Sequence, residues 1–114
     1  MKPIENNILE LNENKVLNEF AKRLNVTPMQ IIEQNKHSFI SDIRHVYCKL
    51  RYEMHGSTFS DIAHEIDRTY TAVRSGVMRI NNLLEANDHK IVAMWNRVKD
   101  IEGCFYVEQG EING

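Results

Sequence analysis

The chain has 114 residues, enough for one small domain with a modest core and too few for a motor or a two-domain enzyme. With 42% hydrophobic and 26% charged residues, five glycines and two prolines, its composition is neither collagen-like, low-complexity nor disordered. Fourteen Lys and Arg against sixteen Asp and Glu leave a formal net charge of −2, so a polyanion partner would have to be met by local positive charge.

Residues 1–12 read as an N-terminal arm or an added helical turn, with Ile4, Ile8, Leu9 and Leu11 as its apolar residues. Val16, Leu17, Phe20, Ala21 and Leu24 recur at the spacing of a core-facing stripe and predict a helix over about 14–24. Thr27 followed by Pro28 is an N-cap with proline at the first helical position, and the short helix it opens, with Met29, Ile31 and Ile32, is expected to end near residue 35. Ile40, Ile43, Val46, Tyr47, Leu50 and Met54 then trace one face for four turns from Phe39, and Gly56 stands where a left-handed residue would end that helix. Thr58, with Asp61 three residues later, starts a helix of about two turns carrying Phe59, Ile62, Ala63 and Ile66. Thr69 caps the next, whose stripe is Val73, Val77, Ile80 and Leu84, and Asp88 caps a last one with Ile91, Trp95, Val98 and Ile101. The expectation is an all-α, compact helical bundle of five to six helices over residues 13–102, followed by a tail at 103–114. No run of about 18 apolar residues is present and the N-terminus lacks a signal-like apolar stretch, which predicts a cytoplasmic protein with no membrane partner. Cys48 and Cys104 are too few and too far apart for a disulfide framework and are expected to be reduced.

Two consecutive helices with a break of two or three residues between them, 58–66 and 69–84, fit a helix-turn-helix, with Ala63 at the close approach and Ile62, Ile66, Val73 and Val77 in the joint. Away from its apolar stripe the second helix carries Arg68, Tyr70, Thr71, Arg74, Ser75, Met78, Arg79 and Asn82, with no acid between 68 and 82. Arginine forks match guanine edges or phosphate, hydroxyls reach either, and a helix N-terminus attracts phosphate oxygens. Residues 36–79 hold seven Lys and Arg against five acids, a net of +2, between flanks of −1 and −3. The bland alternative is a set of solvated helix faces.

The segments Ile43-Arg44-His45-Val46-Tyr47-Cys48-Lys49-Leu50, Thr58-Phe59-Ser60-Asp61-Ile62-Ala63-His64-Glu65-Ile66 and Asp67-Arg68-Thr69-Tyr70-Thr71-Ala72-Val73 resemble the C-terminal DNA-binding domain of the bacterial replication initiator DnaA. The resemblance covers residues 14–101 and implies a Trp repressor-like helix-turn-helix fold. It implies that Arg68, Thr69, Tyr70, Thr71, Ala72 and Val73 stand at the last six positions of the family signature Gly-Gly-Arg-Asp-His-Thr-Thr-Val, which opens the recognition helix in the major groove. Arg44 matches the arginine at the start of the family's long helix, and Lys36 falls at the position of its minor-groove arginine. The changed signature removes any inference about base preference, and the depleted loop Glu33-Gln34-Asn35-Lys36-His37-Ser38 implies weaker binding with a shallower salt dependence.

The chain lacks the Gly-x-x-x-x-Gly-Lys-Ser/Thr loop of the initiator's motor, and no residue set suggests catalysis, so a non-enzymatic protein without cofactor is expected. His45, Cys48, His55 and His64 lack the paired spacings of a structural metal site. The first reading is a sequence-specific double-stranded DNA binder at the nucleoid, a regulator or accessory factor of replication or transcription. Arg68, Tyr70 and Thr71 would read bases; Lys36, Arg44, Arg51 and Arg74 would contact phosphate or the minor groove; Thr69, Ser75 and Arg79 would complete the interface. The second is a helical interaction module that has lost DNA and pairs with a partner or a second copy through acidic or apolar terminal segments.

Overall fold

A computed structural model describes residues 14–34 and 37–103. Among them are six helices and no strand: α1 (Lys15–Arg23), α2 (Pro28–Ile32), α3 (Ser38–Lys49), α4 (Phe59–Ile66), α5 (Tyr70–Glu85) and α6 (His89–Val98). This is the expected all-α bundle. The expected N-terminal arm, Lys36, Cys104 and the tail beyond Gly103 lie outside the described residues.

Most helix starts rest on a local side-chain oxygen. Asn14, Thr27, Thr58, Thr69 and Asp88 accept from the N–H of Leu17, Gln30, Asp61, Ala72 and Ile91, satisfying donors that the first turn leaves free. Thr27 and Gln30 close a full capping box, with Pro28 in the first turn. Asn25, Asp67 and Asn87 take left-handed backbone after α1, α4 and α5. Three boundaries differ from expectation. α6 closes at Val98, so Ile101, expected on it, lies beyond its end although it is buried. α2 stops at Ile32 because Glu33 turns extended, with ψ 165°. α3 runs into a π-helical turn, Leu50–Met54, whose wider winding rotates the apolar stripe, so Met54 is exposed rather than packed.

α3 is the axis of the core. Ile43, Val46, Tyr47 and Leu50 are fully buried, Phe20 of α1 meets the Tyr47 ring edge-on at 5.1 Å, and Ile62, Ile66, Val73, Ile80, Ile91 and Val98 close in from the other helices. Met94, not Trp95, completes the buried face of α6; Trp95 is partly exposed with Lys49 Nζ 4.7 Å from its ring centre. α5 crosses α3 at Gly76, where an added Cβ would stand 2.6 Å from Cδ2 of His45. That contact holds α5 close to α3 and leaves the first turns of α5 at the surface.

Candidate nucleic-acid interface

α4 and α5 are joined by Asp67, Arg68 and Thr69. The turn is tight because Asp67 adopts φ 56° and the Arg68 N–H returns to the Ala63 carbonyl at 2.9 Å. Ile62, Ala63, Ile66, Val73 and Val77 are buried in this region, as the spacing predicts. On its outer side α5 presents Tyr70, Thr71, Ala72, Arg74, Ser75, Met78 and Arg79, all exposed. Arg74 makes no hydrogen bond or ion pair with any described residue. The Arg79 guanidinium is half-exposed and paired with Asp42 of α3 at 2.9 Å.

Three of the expected contact residues are placed otherwise. Arg44 is only 5% exposed, and its Nε donates to the Ile31 carbonyl at 2.7 Å. The Nε is thereby committed to the C-terminal end of α2, which presents carbonyls and draws a cation inward. Arg68 is partly buried beside it. Its Nη1 donates to the carbonyls of Ile32, Ile66 and Asp67 and its Nη2 to that of Glu33, so the guanidinium ties the turn to the end of α2 rather than projecting toward a base edge. Arg51 pairs with Glu65 at 2.8 Å and donates to the Gly103 carbonyl, fastening the end of α3 to α4 and to the segment after α6. Burial and the nearby Arg68 charge both push the Arg44 pKa down, whereas no carboxylate contacts either guanidinium among the described residues. Thr69 keeps its cap role, with its hydroxyl accepting from Ala72 N–H.

One group is not evident from the apolar stripes. Tyr52 of the π-helical turn stacks on Phe59 at 4.1 Å, and Phe59 meets Tyr70 edge-on at 5.4 Å, so the Tyr70 ring rests on Phe59. Tyr52 and Tyr70 remain 41% and 52% exposed. The available signal was that Tyr52 falls off the stripe of α3. Among the described residues no group of three or more His, Cys, Asp or Glu could hold a metal ion, and no helix is long and apolar enough to cross a membrane. No protein-family model, curated protein or solved structure matches the chain.

Proposed function

We propose that this chain is a non-enzymatic double-stranded DNA-binding protein that lays the first turns of α5 in the major groove, a DnaA-like domain acting at the nucleoid as a regulator or accessory factor of replication or transcription. The observation that carries this reading is the exposed, acid-free side of α5, where Tyr70, Thr71, Arg74 and Ser75 surround a helix start that follows a tight turn. Burial of Arg44, the Glu65 pairing of Arg51 and the backbone bonds of Arg68 reduce the direct contact set to these four residues, with Arg79 at the margin. A set this small matches a weak binder with a shallow salt dependence. Retention of random duplex pools in a mobility shift at low salt, lost at moderate salt, supports the reading; no retention at low salt by folded protein rejects it.

The exposed Tyr52–Phe59–Tyr70 group favours one alternative, a module that docks another protein through that apolar surface. Arg74→Ala separates the two, since Arg74 lies outside the ring group and its loss should weaken duplex retention only if DNA is the partner of α5.

A further inference from the structure

The joint of α3, α4 and α5 forms a partly open cavity of about 50 Å3, lined by the polar Arg44, His45 and Arg68 and by Cys48, Ile66, Ala72 and Val73. The polar wall has nitrogens to spare and no carboxylate. Nδ1 of His45 is buried without a hydrogen-bond partner. Arg44 uses Nε and Nη2, and Arg68 uses Nη1 and Nη2, on backbone carbonyls; Nη1 of Arg44 and Nε of Arg68 make no hydrogen bond with the described residues. Neither arginine has an acidic partner among them. Two like charges therefore share a partly buried place with a histidine whose own protonation is disfavoured by burial and by the charges of Arg79, Arg44 and Arg68. Water could satisfy single N–H groups but would not balance that charge. An acceptor-only anion does both, and the space, room for about three or four waters, is that of the four oxygens of a tetrahedral anion.

We propose that this cavity is a binding site for a tetrahedral oxyanion of the phosphate type, held by Arg44, Arg68 and His45. The site does not depend on the DNA reading, because free phosphate and a backbone phosphodiester offer the same oxygens. The test titrates inorganic phosphate into the full chain against chloride at matched ionic strength, following thermal unfolding and the ring resonances of His45. A saturable rise in Tm with movement of the His45 ring toward its protonated form supports the site, and Arg68→Gln should then weaken the apparent affinity about tenfold. His45→Phe keeps a ring against Gly76 and should abolish most of the phosphate-specific rise. A Tm that follows ionic strength alone, with the His45 resonances of the unmodified protein unmoved, overturns the proposal. Displacement of bound duplex by phosphate beyond the matched chloride effect assigns the site to a backbone phosphodiester. Saturable phosphate binding that leaves duplex retention unaltered, or that occurs in a chain retaining no duplex, assigns it to a free phosphate species.

Discussion

Arg44 and Arg74 differ in what surrounds the guanidinium. Arg44 is buried against carbonyls at the end of α2, so Arg44→Ala removes the donor and leaves those acceptors short of a partner. Chemical denaturation should show a loss of about 2–3 kcal/mol. Arg74 has no partner among the described residues and stands on the exposed side of α5. Arg74→Ala should change stability by no more than about 0.5 kcal/mol. If Arg74 meets phosphate, the same variant lowers duplex affinity uniformly across sequences and reduces the log–log salt slope by about 1. A loss confined to one base position would make it a base reader instead. A stability loss in Arg74→Ala as large as that in Arg44→Ala would contradict this division of roles.

At the scale of elements, the placement of α5 depends on two backbone positions. Gly76 lies inside a helix, where alanine would ordinarily be favoured by about 1 kcal/mol. Here the added methyl meets the His45 ring at 2.6 Å, so α5 must lift from α3 or the ring must turn. Gly76→Ala should therefore destabilise by about 1–3 kcal/mol net of its propensity gain, measured by denaturant midpoint. Asp67 is the reverse case. It holds φ 56°, where a side chain costs about 1 kcal/mol, although Asp tolerates this region better than most. Asp67→Gly should raise stability by up to about 1 kcal/mol, while also removing an acid beside the α5 start. Most of these elements were legible in the sequence because stripes and caps are local: Thr58, Thr69 and Asp88 each satisfy an N–H three residues away. The roles of the arginines were not. Arg44 meets a carbonyl 13 residues back and Arg68 one 36 residues back, and neither spacing nor charge reveals which helix end will lie beneath a side chain. The rotation of Met54 out of the core was equally hidden, since a π-helical turn does not alter the sequence pattern that enters it.

Across the whole molecule, charge is arranged to hold helices together as much as to face a partner. Of the seven Lys and Arg in the +2 central segment, Arg44, Lys49, Arg51, Arg68 and Arg79 are engaged by carbonyls, amide oxygens or carboxylates, which leaves Arg74 as the unengaged cation among its described residues. Two histidines are built into the same framework. His45 lies under Gly76 of α5, and His55 bridges Arg51 to the Ile101 carbonyl, with Gly103 packed against its ring. Burial lowers the pKa of both, reinforced by the arginine charges around each. Well above about pH 6.5 both rings are neutral in the folded and unfolded chain and their contribution is complete. As pH falls below that value the unfolded chain takes up protons that the folded chain resists. Stability must then decline until the lower folded pKa values are reached, by at most about 1.4 kcal/mol per pH unit for each ring. A depressed histidine thus acts in the sense of a depressed carboxyl, but in a window that opens near pH 6.5. His55→Gln should preserve an amide acceptor for Arg51 and a donor for Ile101 without a titrating group. Denaturant midpoints measured from pH 7.5 to 5 should accordingly fall less steeply for His55→Gln than for the unmodified chain. Parallel slopes would show that the bridge between Arg51 and Ile101 does not exclude the proton.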